Sequence, residues 1–208
     1  MRERDGLTIV KLGGSQALSA ELGFWLAAIA ERRGAVVLVP GGGPFADAVR
    51  AAQIQMGFDD AAAHHMALLA MEQFGCGLAS LNAKFVLADS TSAIRRQLGR
   101  GLVPIWAASK MVLSAQQIPC TWDVTSDSLS AWLAGTIGAE RLVLLKSVKP
   151  ATNPISAAEL AVQGIVDAAF PGFLAASGTQ ACVACAGERD QAAAVLAGRS
   201  QGIRIGLH

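Results

Sequence analysis

The chain has 208 residues, 52% of them apolar and only 16% charged, with a formal net charge of +1. That composition excludes a disordered chain and gives one domain with a sizeable core. Arg32-Arg33 and Arg95-Arg96 are its only basic clusters, which excludes a nucleic-acid stripe or an anionic membrane surface as partner.

No apolar run reaches the ~18 residues of a membrane span, and Met1-Arg-Glu-Arg-Asp5 lacks a signal core, so a cytoplasmic protein is expected. The low charge points to apolar surface covered by another subunit, a homo-oligomer.

In chain order, Thr8 to Val10 reads as a short buried strand that carries Lys11 near its C-terminal end. Gly13-Gly14-Ser15 then turns sharply and leaves room for a ligand against bare N–H groups. Alone, this is either a tight turn with a solvated lysine or half of a phosphate site. Ser19 caps a predicted helix through about Arg33, with Leu22, Trp25, Leu26 and Ile29 at helical spacing and Gly34 as the stop. Ala35 to Pro40 is a continuous apolar run, the pattern of a strand buried on both faces of a parallel sheet.

That strand ends in Gly41-Gly42-Gly43, and Pro44 suits the first turn of a following helix whose dipole attracts an anion. Neither glycine loop is a Walker motif or GxGxxG. Two glycine loops after neighbouring strands favour the phosphate reading.

Asp59-Asp60 opens a long helix to about Ser80, with Ala63, Met66, Ala67, Ala70, Met71 and Phe74 on a broad apolar face that fits a dimer interface. Of His64-His65, either one is solvated and the other packed, or one contacts a substrate phosphate; adjacent helical residues diverge too far to share a metal. Phe85 to Ala88, a helix from Ser90 or Ser92 to about Gly99, and Val103 to Ala107 form a further βαβ unit, with Pro104 at a strand start or edge.

Pro119 to Ser128 is an irregular loop entering a helix from about Ser126 to Ile137. Thr125 or Ser126 caps it, and Asp127 lies in its first turn, where the dipole favours a carboxylate. Asp127 either serves that end of the helix or, facing the glycine turns, orients Lys11 or positions magnesium. Trp122 either packs in the core or, with Asp123, stands in the loop for a substrate. Arg141 to Val148 is a buried strand with Lys146 placed as Lys11 is, and two lysines at one carboxyl edge suit a triphosphate.

The remainder reads as helices at 156–162 and 165–176, a strand at 181–186, a helix from Glu188 to about Leu196 and a last strand Ile203 to Ile205. Cys182 and Cys185 fall at i and i+3 of a strand and point to opposite faces, so no shared metal site is expected. All four cysteines are expected to be buried small hydrophobes. The alternation gives an α/β fold, a three-layer αβα sandwich with a mainly parallel central sheet, as one domain over 1–208.

Lys11-Leu-Gly-Gly-Ser15, Pro40-Gly-Gly-Gly-Pro44, Asp123-Val-Thr-Ser-Asp-Ser128 and the strand ending at Lys146 together resemble the amino acid kinase family over about residues 7–148. That family includes acetylglutamate, aspartate, uridylate and isopentenyl phosphate kinases. The short length and the wording of the second and third motifs are most similar to its small aminomethylfuran phosphate kinases of methanofuran biosynthesis.

The resemblance implies phosphoryl transfer from ATP with Mg2+ to a small anionic metabolite, a carboxylate or a phosphate. It gives Lys11 and Asp127 catalytic roles, the first bridging donor and acceptor, the second organising the lysines. Gly13, Gly14, Ser15 and Lys146 take the nucleotide, and Gly41, Gly42 and Gly43 hold the acceptor. For an aminomethylfuran phosphate, Trp122 stacks on the ring, Asp123 pairs with the ammonium, and Arg50 or His64 touches the phosphate. The acceptor side is then about 1–120 and a shortened nucleotide side about 121–208.

Two departures lie on the ATP side. Ser147-Val-Lys-Pro150 stands where many members have Asp-Val-Asp-Gly, and no glycine-rich, lysine-bearing segment follows Gly178. They support the opposing reading, a non-catalytic binding or storage subunit on the same fold.

Overall fold

The computed structural model describes residues 6–151, 153–199 and 202–206. Strand β1 (Thr8–Leu12) is buried along its whole length. A 3-10 turn (Gly14–Leu18) and helix α1 (Leu22–Ala30) lead to β2 (Val36–Pro40). Helices α2 (Gly43–Met56) and α3 (Asp60–Ser80) follow back to back, then β3 (Phe85–Ala88), α4 (Thr91–Gly99), β4 (Val103–Trp106) and the short α5 (Ser109–Leu113).

The second half runs through α6 (Ser126–Ile137), β5 (Arg141–Lys146), β6 (Ile155–Ser156), α7 (Ala157–Val162) and α8 (Phe170–Ser177). It closes with β7 (Gln180–Cys185), α9 (Ala192–Leu196) and β8 (Ile203–Gly206).

The strands form one eight-stranded sheet in the order β3-β4-β2-β1-β5-β7-β8-β6. Every pairing is parallel except β7 with β8. This is the mainly parallel α/β sandwich that the alternation of elements predicts. From β1 the chain builds first towards β2, then returns to add β5 on the other side. The carboxyl ends of β1, β2 and β5 therefore flank a topological switch point, where open sheets of this kind bind ligands.

Side-chain parity sorts the core into two layers. Ile9, Val37, Val39, Leu142 and Leu144 face a cluster built with Leu129 and Leu133 of α6 and Phe170 and Leu174 of α8. Val10, Leu12, Leu38, Val143 and Leu145 face Trp25, Leu26 and Ile29 of α1 and Val195 and Leu196 of α9. Lys11 shares the parity of Ile9, and Lys146 that of Leu142 and Leu144. Both lysines thus rise on the α6 side.

Several expectations change. Met66 and Leu69 are about two-fifths exposed, whereas Ala63, Ala70, Met71 and Phe74 of the expected α3 face are buried, joined by His64, Leu68 and Leu78. Pro104 is the second residue of an interior strand rather than an edge one, with a single register pair to β2 at Leu38 and Ile105. Ser19 does not cap α1; its hydroxyl accepts from the Glu21 N–H one turn earlier.

The cysteines are not uniformly buried, since Cys76 and Cys120 are exposed and Cys182 and Cys185 half-buried. Cys76 lies on the outer face of α3 and Cys120 in the loop before α6, where no core covers them. Among the described residues no helix is long and apolar enough to cross a membrane.

Candidate active site

Register carries the two lysines to one place. Leu12 is level with Leu145, so Lys146 ends β5 one step beyond the last paired residue of β1. The Gly13 N–H continues the ladder to the Leu145 carbonyl at 3.3 Å. Helix α6 packs on this face with its N-terminus at the same edge, and Asp127 of its first turn stands between the ammonium groups. Asp127 Oδ1 is 3.0 Å from Lys11 Nζ, and Oδ2 accepts from Lys146 Nζ at 2.8 Å. Lys11 and Asp127 are buried, and the Lys146 side chain is largely covered.

The charges of this cluster are strongly coupled to burial. Burial works to raise the Asp127 carboxyl, but the charges of Lys11 and Lys146 outweigh it and hold it below the usual carboxylate range. Burial, then the neighbouring Lys11 charge, brings the Lys146 ammonium down to about 8, against the opposing pull of Asp127 and Asp167. Two cations around one carboxylate leave a net positive charge in a dry setting, suited to holding an anion.

The two glycine loops close over this edge by direct backbone contact. A Cβ on Gly14 would collide with the backbone nitrogen and Cα of Gly43, and one on Gly41 would stand 2.7 Å from the Gly14 nitrogen. Gly43 also needs its left-handed φ of 54° to start α2. Gly41 is tied down through its N–H to the Leu12 carbonyl at 2.8 Å. The N-terminus of the fourteen-residue α2 then opens at Gly42, with Pro44 in its first turn. Ser15 reaches towards the loop after β5, its hydroxyl 3.5 Å from that of Ser147.

Beside the loops lies a cavity of about 440 Å³. Gly14, Ser15, Gly42 and Gly43 line it, as do Arg50, His64 and Trp122, and its apolar wall includes Leu68, Met71, Val124 and Leu129. Arg50 lies over the Trp122 ring, its Cζ 4.3 Å from the centroid. Trp122 Nε1 donates to Gln53 Oε1 at 2.7 Å, and Gln53 Nε2 donates to Asp60 Oδ1 at 2.8 Å. The Gln53 amide, itself outside the lining, thereby ties the Arg50–Trp122 pair to the Asp60 carboxylate on the cavity wall.

His64 turns to the cavity, buried and with its pKa lowered by burial and then by His65, whereas His65 is exposed.

Asp123 is not part of this assembly. Its residue is exposed outside the cavity lining, and its carbonyl accepts from the Ala169 N–H at 3.0 Å. The carboxylates that do line the cavity are Asp47 and Asp60, neither singled out from the sequence. Asp60 was legible only as a first-turn acid of α3, and Asp47 only as one more polar residue of α2. Trp122 is half-buried, and one face of its ring is taken by Arg50 rather than left free.

Residues 6–150 match the family model described as the amino acid kinase family. A curated relative, the 5-(aminomethyl)furan-3-yl-methyl phosphate kinase of Methanocaldococcus jannaschii, is 27% identical over 143 residues, 67% of this chain and 65% of that protein. The chain's match therefore spans just under two thirds of that relative's length.

Three solved structures share the fold over nearly all of the chain. The uridylate kinase of Archaeoglobus fulgidus has a TM-score of 0.70 at 15% identity, covering 96% of this chain and 98% of that one. The UMP kinase of Ureaplasma parvum gives 0.68 at 14%, covering 97% and 98%. That of Bacillus anthracis gives 0.69 at 14%, covering 96% and 94%.

Proposed function

The chain belongs to the amino acid kinase family, and from that premise we propose that it moves the γ-phosphoryl group of ATP onto a small phosphomonoester held in the cavity. The acceptor best matched to the cavity and to the 27% identical relative is an aminomethylfuran methyl phosphate, converted to the diphosphate. The observation that carries this reading is the buried Lys11–Asp127–Lys146 cluster at the edge where two glycine loops meet.

In this reading an oxygen of the acceptor phosphate attacks the γ-phosphorus, a P–O–P link forms, and the bond to the β-γ bridging oxygen breaks to release ADP. The attacking oxygen is already anionic, so no general base is required, and positioning with charge neutralisation supplies the catalysis. Lys11 spans donor and acceptor and meets the charge that develops on the transferring group. Lys146, with Gly13, Gly14 and Ser15, holds the nucleotide phosphates. Asp127 keeps the two ammonium groups apart and aimed.

Gly41, Gly42 and Gly43, with the N-terminus of α2, take the acceptor phosphate, assisted by Arg50 and His64. The aminomethyl ammonium falls to Asp60, which lines the cavity as Asp123 does not.

Magnesium enters as part of the substrate MgATP. Both Asp127 oxygens are committed to lysines, and among the described residues no group of three His, Cys, Asp or Glu could hold a metal ion. Such a site suits an ion carried mainly by phosphate oxygens and water. Self-association through the exposed Met66 and Leu69 of α3 belongs to the same proposal, and light scattering of the purified protein measures it.

Calorimetric titration with ATP, with and without magnesium, on wild type and Lys11→Ala tests the nucleotide claim, followed by turnover with the aminomethylfuran phosphate. Loss of a direct transition-state contact in Lys11→Ala is expected to lower kcat by about 10²–10³. Tight ATP binding with no turnover of any phosphomonoester would instead support a binding or storage subunit, the reading favoured by the Ser147–Pro150 departure.

A further inference from the structure

Helix α6 does not cap itself. Thr125 occupies the N-cap position, yet its side chain makes no capping bond to the helix. The acceptor comes from Asp167, in the turn before α8, outside the 6–150 family match. Asp167 Oδ2 accepts from the Thr125 N–H at 3.0 Å, the Thr125 hydroxyl at 2.8 Å and the Ser128 N–H at 3.0 Å. Its Oδ1 accepts from the Ser128 hydroxyl. These bonds clasp the backbone on both sides of Asp127.

The clasp is anchored from behind. Val166 and Phe170, on either side of Asp167, are buried in the core that also holds Leu129 and Leu133 of α6. The Ala169 N–H donates to the Asp123 carbonyl at 3.0 Å, tying the same turn to the loop that enters α6. Two carboxylates therefore meet at one helix N-terminus with separate tasks. Asp167 satisfies the exposed donors of the helix end, which leaves both oxygens of Asp127 to the lysines.

We propose that Asp167 is a positioning residue of this site: by capping α6 from a distant turn it sets Asp127, and through it Lys11 and Lys146, for phosphoryl transfer. The functional half of this statement rests on the kinase reading above; the geometric half does not. A helix end freed of its cap would let Asp127 rotate out of the pair. Displacement of a catalytic group by about 1 Å costs on the order of 10²-fold in rate.

The test uses Asp167→Asn and the milder Ser128→Ala, which removes only the hydroxyl donor to Oδ1. The first readout needs no substrate: an NMR titration of the Lys146 ammonium, which burial and the Lys11 charge bring down to about 8. The charged groups bearing on it are Lys11, Asp127 and Asp167. In Asp167→Asn the midpoint is expected to move down, with a smaller move in Ser128→Ala. The second readout is turnover, where kcat should fall on the order of 10²-fold in Asp167→Asn with both KM values nearly unchanged.

An unmoved Lys146 midpoint in folded Asp167→Asn overturns the proposal. So does a shifted midpoint with native kcat, because Asp167 would then act through charge alone. If Asp167→Asn does not fold, Ser128→Ala decides by the same two readouts. Absence of turnover in the wild type would refute the kinase reading and leave the Lys146 titration to judge the clasp.

Discussion

Replacing Asp127 with Asn tests the charge logic of the site most directly. The variant keeps the shape of the side chain but leaves two buried ammonium groups without their shared counter-charge. Breaking a buried pair in this way costs about 3–5 kcal/mol. Part of that cost has an escape route: Lys146 can lose its proton. Burial and the Lys11 charge already bring it down to about 8, so becoming neutral at pH 7 costs only on the order of 1 kcal/mol.

The Lys146 share of the penalty is therefore capped near that figure at pH 7. By pH 9 the native protein has itself lost most of that charge, and the share vanishes. The stability gap between wild type and Asp127→Asn should narrow by about 1 kcal/mol from pH 7 to pH 9. Urea unfolding of both proteins at the two pH values measures it. A gap that stays constant, or a variant as stable as wild type at pH 7, would refute the reasoning.

Gly14→Ala should lose about 1–3 kcal/mol, because its methyl group meets the Gly43 backbone and forces the two loops apart; thermal unfolding with parallel ATP titration reads both effects. The rate should fall as pH rises through about 8, since the Lys146 ammonium is then discharged; a pH profile of kcat/KM that stays flat to pH 10 would remove Lys146 from the mechanism. The same depressed value predicts that Lys146 contributes rising stability between about pH 8 and its unfolded value, where the unfolded chain binds the extra proton. Asp60→Asn should raise KM for an amine-bearing acceptor by about tenfold while sparing its des-amino analogue; equal KM changes for the two would return the ammonium to another group.

The motif-bearing parts of the chain were legible because their signals are local. A β-rich run ending in Lys11-Leu-Gly-Gly, a second ending in Pro-Gly-Gly-Gly-Pro and a third ending in Lys146 each declare a buried strand and its turn. Asp59 at the N-cap of α3, its side chain accepting from the Ala62 N–H at 2.8 Å, matches the helix start read from the sequence. The tail was less legible. The helix read from Ile165 begins only at Phe170, because the Asp167 carboxylate and the Ala169 N–H are turned to the α6 end, and Ala169 gives only its carbonyl to the helix it caps.

What the sequence determined by itself was the order of the strands and helices apart from the short α5 and β6, the two glycine loops and the charged residues at the strand ends, since periodicity and turn chemistry act between near neighbours. Only the tertiary structure decided who partners whom. Register and parity raised Lys11 and Lys146 on one face, α6 docked Asp127 between them, and Arg50 took a face of Trp122. Asp123 was left outside the cavity and Asp60 within it. Asp167 took over the cap of α6 from a turn 42 residues beyond Thr125. Such contacts depend on how the α6 and α8 faces pack into one core, and no local pattern encodes a hydrogen bond across that separation.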